Sequence, residues 1–328
     1  MILEIFQSLP QVLIDGLALG AVYAVVALGY TMVYGILQLI NFAHGEIFMS
    51  GAFIGTAICA LLMGMSWFAS IPQIILLLVV LVVTACLTGL MGMGIERVAY
   101  RPLRNSPRLI PLITAIGISF ILQDVVRFIA ELTTGRYIVT GPSLFSEQVV
   151  IKFSALWSNF NDAMFKQSFI IVIVTAVLMM VALDFFVNKS KWGIAMRAVA
   201  SDRETASLMS INVNKIISLT FFIGSALGGA TGVLFMVQYG TIDPFIGFIL
   251  GMKAFIAAVL GGIGNIRGAM LGGLLLGVLE MFASSNLSLI TGGVLGAEYK
   301  DVFAFAILIL VLIFKPEGLL GKPVAEKV

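Results

Sequence analysis

The segment that decides the fold is NKSKWGIAMRAVASDRETASLMSINVNKIISLTFFIGSALGGATG, which runs from Asn188 to Gly232. Its first half is polar, and its second half is apolar and rich in glycine. A basic connector that joins two apolar spans is typical of the cytoplasmic side of a membrane protein. The segment therefore predicts a membrane-spanning chain and also its orientation. The basic residues that carry this prediction are Lys189, Lys191, Arg197, Arg203 and Lys215.

Within this segment, Ser201 and Glu204 have the spacing of a capping box. In that motif the serine oxygen accepts a hydrogen bond from the first turn of a helix, and the glutamate reaches back to the serine N–H. We therefore predict a short helix from about Asp202 to Met209. Ala206, Met209 and Val213 lie on one side at helical spacing, which would let the helix lie along the base of the membrane and show a polar face to a partner. The alternative is an ordinary solvated connector.

The composition indicates an integral membrane protein. Hydrophobic residues make up 60% of the 328 residues, charged residues only 11%, and the mean hydropathy is +1.10, whereas about a quarter of the residues of a soluble domain are charged. The net charge of +2 is too small to suggest nucleic-acid binding. Cys59 and Cys86 both fall inside apolar runs, which argues against a disulfide framework or a metal site. No Lys or Arg precedes Arg97, so we expect the first apolar run to be a retained helix rather than a signal peptide.

Nine apolar stretches approach the length of about 20 residues that a membrane helix needs. We predict an all-α polytopic membrane protein, a single transmembrane permease domain over residues 1–328 with about 8–10 transmembrane helices. The seventh stretch carries Lys253 at its middle and is predicted to be broken or re-entrant. The stretches are Val12–Val33, Gly45–Met63, Ile74–Gly94, Ile110–Leu132, Ser168–Val187, Ile216–Val237, Phe245–Gly264, Gly268–Ile290 and Val302–Phe314.

The distribution of basic residues predicts the orientation. If residues 97–108, 189–215, 267 and the tail from 315 are cytoplasmic, that side holds 13 of the 19 Lys and Arg residues, and the opposite loops hold four. This asymmetry predicts a cytoplasmic C-terminus and, with an odd number of crossings, an external N-terminus. The polar connector at about 188–214 would be cytoplasmic, and the loop at about 133–167 external.

Glycine is frequent, with 34 residues, and many stand four positions apart. Such small-xxx-small pairs let helix backbones pack closely in lipid. The Leu260–Gly264 run, LGGIG, predicts instead a tight turn at the end of a helix. The pairs are Gly16 with Gly20, Gly51 with Gly55, Gly224 with Gly228, Gly228 with Gly232, Gly268 with Gly272, and Gly273 with Gly277.

Several stretches resemble one family. RAVASDRETASLMSINVNKIISLTFFIGSALGGATGVL is similar to the cytoplasmic coupling segment of the permease subunits of bacterial ABC importers for branched-chain amino acids. The same family is resembled, in order along nearly the whole chain, by LINFAHGEIFMSGAFIG (Leu39–Gly55), ERVAYRPLR (Glu96–Arg104), KAFIAAVLGGIGNIRGAMLGGLLLGVLE (Lys253–Glu280) and FKPEGLLG (Phe314–Gly321). The sequence departs from the family where Ser201 replaces a usual acidic residue and Ser210 a usual glycine.

The resemblance implies the partners and the mechanism. It implies a subunit of the bacterial inner membrane that works with a second related permease, two cytoplasmic ATP-binding subunits and an external substrate-binding protein. No cofactor is implied for this chain, because the partners would bind the ATP. The short helix would dock on an ATPase subunit and transmit its closure to the spans. Urea and short amides remain alternative substrates, since the resemblance extends to permeases for them. The residues implied in ATPase coupling are Arg197, Ser201, Asp202, Arg203, Glu204, Ala206 and Ser210.

Four further residues are candidates for the substrate path or a subunit interface: His44, Glu46, Lys253 and Glu280. An ionisable group inside a span usually faces a cavity or another subunit because its burial in lipid is costly. An internal ion pair that fixes packing is the alternative for Lys253 and Glu280. His44 is the only histidine; a structural hydrogen-bonding role is its alternative, and we predict no metal site.

Two other classes of protein remain open. A secondary transporter would need no ATPase and would show inverted repeats with ionisable groups at the membrane midplane. A membrane-embedded enzyme would need a convergent catalytic set, which His44 alone does not provide. No stretch fits a phosphate-binding Walker A loop, so we expect ATP hydrolysis in separate subunits.

Overall fold

The computed structural model describes residues 2–65, 71–104, 106–107, 109–145, 147–152, 154 and 160–321. Arg108, Lys322 and Lys327, which contribute to the basic count above, lie outside these residues. The helices are α1 (Ile2–Leu37), α2 (His44–Met63), α3 (Gln73–Ile95), α4 (Leu109–Thr134), α5 (Gln167–Lys189), α6 (Lys191–Ser201), α7 (Arg203–Leu208), α8 (Val213–Tyr239), α9 (Ile246–Gly261), α10 (Ile266–Ile290) and α11 (Lys300–Phe314).

The all-α polytopic prediction is confirmed. Seven helices, α1 to α5 with α8 and α10, are long and apolar enough to cross a membrane among the described residues. Two further apolar helices, α9 with 16 residues and α11 with 15, correspond to the seventh and ninth stretches. Helix α9 is unbroken from Ile246 to Gly261, so the prediction of a broken seventh stretch is wrong, and its re-entrant alternative stays a prediction. Helix α1 begins ten residues before the predicted Val12, because Pro10 does not end it.

Small elements of strand lie between the helices. Strand β1 (Val139–Thr140) pairs antiparallel with β4 (Thr241–Ile242), and β2 (Gln148–Ile151) pairs antiparallel with β3 (Ala163–Lys166). Three of the four strands fall within residues 133–167, the segment predicted as an external loop. The β1–β4 pair attaches this segment to the turn after α8.

Glycines bring the central helices into backbone contact, as the small-xxx-small pairs predict. A Cβ atom at Gly277 of α10 would lie 2.2 Å from the Gly20 backbone nitrogen of α1. One at Gly51 of α2 would lie 2.3 Å from the Gly229 Cα of α8. Helices α1 and α8 consequently form the core. Helix α4 packs at the periphery, and only 17% of its most apolar 18-residue segment is buried.

One end of the bundle gathers the elements that carry most of the basic residues. Here α1, α3 and α5 end, α6 and α7 lie, and α8 begins; we call it the α6–α7 end. Arg267, at the start of α10, pairs with Asp184 of α5 at 3.3 Å. The LGGIG turn also lies here, with positive φ angles of 105° at Gly262 and 89° at Gly264, which favour glycine.

Candidate functional site

The segment at 188–214 forms two short helices rather than a loop that holds one. Helix α6 begins after Ser190, whose side chain accepts from the Gly193 N–H. Helix α7 matches the predicted short helix to within a residue at each end. The predicted capping serine is wrong, because Ser201 is the last residue of α6 and Asp202 is the N-cap of α7.

Asp202 caps α7 through its carboxylate. One oxygen accepts from the backbone N–H groups of Glu204 at 2.9 Å and Thr205 at 3.2 Å. The Thr205 hydroxyl donates to the other oxygen. These donors hold the pKa of Asp202 below its ordinary value, with the hydroxyl of Thr205 as the largest cause. The capping-box pattern predicted the helix but assigned the N-cap to Ser201 instead of the adjacent Asp202, because aspartate is as good an N-cap as serine.

Two arginines attach these helices to the spans. Arg203 donates to the carbonyl oxygen of Ile36 in the last turn of α1 at 2.8 Å. Arg197 of α6 donates to the carbonyl oxygen of Val187 near the end of α5. A cation beside the free carbonyls of a helix C-terminus interacts favourably with the helix dipole. The α6–α7 unit is therefore joined to two spans.

The tip of α7 points away from the protein. Leu208 is 85% exposed and Met209 is 74% exposed, while Ala206 is buried against the bundle. The prediction that Met209 shares the packed side of the helix with Ala206 is therefore wrong. Ser210 follows with a φ of +61°, a left-handed conformation that costs serine more than glycine.

A groove separates α6 and α7 from the end of α1. It has a volume of about 610 Å3, and its lining includes Gln38, Arg104 and Ser201 to Glu204. Four of the seven residues predicted to act in coupling thus line one open groove: Ser201, Asp202, Arg203 and Glu204.

A polar network behind this groove was not predicted from the sequence. The last turn of α3 continues as a π-helical turn at Glu96–Tyr100. Glu96 is buried completely and forms a salt bridge with Arg104, and it accepts from the hydroxyl of Ser218 in α8. Arg104 also donates to the side-chain oxygen of Asn214 at 2.6 Å. The sequence signal that could have indicated this network is Glu96, a charged residue that directly follows the apolar run of α3.

The π-helical turn also reaches the segment between α1 and α2. The Tyr100 hydroxyl donates to the side-chain oxygen of Asn41 at 2.8 Å. The same oxygen accepts from the Ala43 N–H at 3.1 Å, directly before α2. Through Asn41, the start of α2 is connected to the α6–α7 end.

His44 and Glu46 lie inside the bundle at the start of α2. The His44 ring is buried and packs edge-on against Tyr30, with ring centroids 4.8 Å apart. The Val26 backbone is its polar neighbour. Glu46 is buried as well and accepts from the Ser119 hydroxyl of α4 at 3.2 Å. Among the described residues no hydrogen bond or ion pair joins these two residues to Lys253 or Glu280.

Lys253 and Glu280 are brought together, as the ion-pair alternative predicts. The Lys253 Nζ lies 2.8 Å from Glu280 Oε1 and 2.7 Å from Asp301 Oδ1. Lys300 adds a second cation 3.2 Å from Glu280, and the Tyr23 hydroxyl donates to Glu280 Oε2 at 2.8 Å. Two cations and two anions thus form a balanced cluster that joins α1, α9, α10 and α11.

This cluster borders a cavity of about 470 Å3. Aliphatic and aromatic side chains of α1, α5, α8 and α9 form much of its wall, among them Leu19, Phe169 and Ile246. Asp15 also lines it and accepts from the Gln11 amide at 3.0 and 2.9 Å. Within the described residues, no group of three or more His, Cys, Asp or Glu side chains could hold a metal ion.

Comparisons with known proteins identify similar chains. A family model described as the permease component of branched-chain amino acid transport systems matches residues 12–312. The high-affinity branched-chain amino acid transport system permease proteins LivH of Salmonella typhimurium and of Escherichia coli are each 47% identical over 329 residues. BraD of Pseudomonas aeruginosa, described in the same words, is 46% identical over 328 residues. Each alignment covers 99% of this chain and 99% of the relative.

Proposed function

The chain belongs to the family of permease components of branched-chain amino acid transport systems, and on that premise we propose that it is the membrane-spanning subunit of an ATP-driven importer of branched-chain or related neutral amino acids. The observation that carries the proposal is identity near one half to LivH and BraD along the full length of both chains. The seven long apolar helices agree with such a role.

The proposed assembly contains partners that this chain requires. A second related permease completes the pore, two ATP-binding subunits supply energy, and an external binding protein delivers substrate. The absence of a Walker A loop from the sequence supports hydrolysis in the partners rather than in this chain. In this arrangement the chain is not itself an enzyme, and it lies in the bacterial inner membrane.

Helix α7 is the proposed contact with an ATPase subunit. Its exposed Leu208 and Met209 would enter an apolar groove of the partner, and the polar groove lined by Asp202 and Glu204 would meet polar groups beside it. Because Arg203 joins α7 to α1, a displacement of α7 would reach the most buried span directly. This is rigid-body coupling of ATPase closure to the spans.

The proposed orientation follows the charges. Arg97, Arg104, Arg203 and Lys215 all lie at the α6–α7 end, so this end would face the cytoplasm and the β1–β4 side the exterior. The cavity beside Lys253 and Glu280 would then lie in the path or beside the second permease subunit. Its mixture of paired charges and aliphatic walls suits a zwitterion with a branched apolar side chain.

Transport by the assembled importer tests the proposal. The chain would be co-purified with its partner subunits, reconstituted in ATP-loaded vesicles and supplied with the binding protein and labelled leucine or urea. We expect leucine uptake that requires ATP inside the vesicles. Uptake of urea without leucine would assign the alternative substrate class. Leucine uptake that persists without ATP and the ATPase subunits would favour a secondary transporter.

A further inference from the structure

A cavity at the α6–α7 end has a positively charged lining. It has a volume of about 750 Å3 and lies between the end of α3, the α5–α6 junction and the start of α8. Three cations line it: Arg97, Arg101 and Lys215. No acidic residue is among the described residues of its lining. None of the three cations forms a salt bridge with another described residue.

The carboxylates nearby are already engaged. Glu96 precedes Arg97 in the chain, but its side chain is fully buried and bound to Arg104 and Ser218. Asp184 of α5 pairs with Arg267 on another side of the helix. The three cations therefore have no described carboxylate paired with them, and an anion placed in the cavity that they line would be stabilised.

Apart from Asn212, Asn214 and Ser218, the rest of the cavity lining is apolar. Its floor is formed by side chains of α3, α5 and α8, including Met93, Phe186, Leu219, Phe222 and Ile223. Trp192 of α6 stands at its rim, 44% exposed, with the Lys215 ammonium 5.5 Å from the centre of its ring. Tryptophan is enriched where a protein crosses from hydrocarbon to water.

Exposed apolar side chains lie on the helical run that supplies part of the cavity lining. Leu90 of α3 is 57% exposed, and Val98 of the π-helical turn that continues α3 is 79% exposed. The same continuous helical run supplies Met93 and Arg97 to the lining. A ligand in the cavity would thus meet cations at the membrane surface and hydrocarbon deeper in the same space.

We propose that this cavity binds an anionic phospholipid. The phosphate lies among Arg97, Arg101 and Lys215, and an acyl chain lies along Met93, Leu219 and Phe222. Basic pockets between membrane helices recognise lipid headgroups in this way. Inorganic phosphate or an acidic protein surface would satisfy the cations but would leave the apolar floor exposed, so both fit the cavity less well.

Lipid retention tests the proposal on the full chain. The chain would be placed in nanodiscs that contain phosphatidylglycerol and phosphatidylcholine, delipidated gently, and analysed for bound lipid by native mass spectrometry. The test variant is Arg97→Gln with Lys215→Gln. The matched control is Lys189→Gln with Lys191→Gln, which removes two exposed cations from the same end but none from the cavity. We expect wild type and control to retain phosphatidylglycerol and the test variant to lose it severalfold.

Melting temperature provides a second readout. Phosphatidylglycerol should raise it for the wild type and the control, but not for the test variant. Equal lipid loss in both double variants would mean that surface charge, and not the cavity, retains the lipid, and would overturn the proposal. Equal stabilisation by inorganic phosphate would remove the role of the acyl chain. A test variant that keeps its lipid but loses the ATPase subunits would assign the cavity to an acidic protein surface instead.

Discussion

The Arg203 guanidinium donates a hydrogen bond to the carbonyl oxygen of Ile36 at 2.8 Å, which ties the exposed helix α7 to the last turn of α1. Helix α1 is the most buried of the seven long spans, with 78% of its most apolar 18-residue segment inside the protein. A force applied to α7 is therefore received by the centre of the bundle and not by a peripheral helix. The contact gives the proposed coupling a defined route.

Loss of this contact should uncouple the importer. Arg203→Ala removes a charged hydrogen bond of about 2 kcal/mol, and Arg203→Glu in addition places a negative charge at the C-terminus of α1, where the helix dipole disfavours it. We expect both variants to hydrolyse ATP with less leucine imported per ATP, and Arg203→Glu to be more affected. Arg136→Ala, in the segment predicted to be external, is the control for loss of an arginine. Normal uptake per ATP in Arg203→Glu would exclude this route.

The cap of α7 should matter at Asp202 and not at Ser201. Asp202→Ala removes the acceptor for two backbone N–H groups, so α7 should fray and transport per ATP should fall severalfold. Ser201→Ala is the matched control, because Ser201 is the last residue of α6 and its side chain caps no helix. Hydrogen exchange at the Glu204 and Thr205 amides provides the structural readout. Faster exchange in Ser201→Ala than in Asp202→Ala would contradict the assignment of the cap.

The charge of Asp202 sets the pH range in which this cap contributes. A carboxyl whose folded pKa is lowered adds stability above its ordinary pKa and loses it as the pH falls through the lowered value. The pKa of Asp202 is lowered by its hydrogen bonds, so the cap is fully ionised throughout the neutral range. We therefore expect the exchange protection of the Glu204 amide, corrected for its intrinsic rate, to be constant near neutral pH. A loss of protection between about pH 8 and pH 6 would contradict a carboxylate cap.

The sequence predicted the helical architecture well because its signals are local. Hydrocarbon requires a long apolar run, and nine such runs became nine apolar helices among the described residues. Glycine spacing predicted close packing, as at Gly16 and Gly20. The positive φ of Ser210 is a conformation that favours glycine, which agrees with the departure from the family predicted at this position.

The candidate site was only partly predicted because its contacts join distant parts of the chain. Glu96 and Ser218 are far apart in the sequence, as are Tyr100 and Asn41, so no sequence pattern indicates that they form hydrogen bonds. The capping signal was ambiguous between two adjacent capping residues, and the backbone turn between α6 and α7 decided for Asp202. These cases require the fold itself, since hydrogen-bonding partners are set by the packing of helices.

Close glycine packing gives a prediction about stability. At Gly277 an added Cβ would lie 2.2 Å from the backbone of Gly20, so Gly277→Ala must separate α10 from α1. Such overpacking costs about 1–3 kcal/mol. Gly35→Ala is the control, since an added Cβ there has nothing within 4 Å, and it should gain up to about 1 kcal/mol of helix preference. Melting temperatures in detergent should fall for Gly277→Ala and not for Gly35→Ala; equal changes would argue against the contact.

The orientation can be measured with single cysteines in a chain that lacks Cys59 and Cys86. Ser143 and Ser201 are both exposed, and they lie in the segments predicted to be external and cytoplasmic. An impermeant thiol reagent added to intact cells should label Ser143→Cys and spare Ser201→Cys, because the basic α6–α7 end faces inward. Both should react after the cells are opened. The reverse pattern in intact cells would invert the proposed topology.

The pair of Lys253 and Glu280 gives the last prediction, which separates a structural role from a role in transport. Among the described residues, Glu280→Gln leaves Lys253 with Asp301 as its carboxylate partner and removes the carboxylate that pairs with Lys300. The loss of one member of a buried pair costs about 3–5 kcal/mol. Lys253→Met combined with Glu280→Gln removes one charge of each sign and retains an amide oxygen for the Tyr23 hydroxyl. We expect a marked fall in melting temperature for each single variant and partial recovery in the double variant, because the charges of the remaining Lys300 and Asp301 balance.

If the pair only fixes packing, leucine uptake should recover together with stability. If the charges also guide the substrate, uptake should remain low in the stable double variant. Additive losses of stability, with no recovery at all, would mean that the two side chains do not act as a pair.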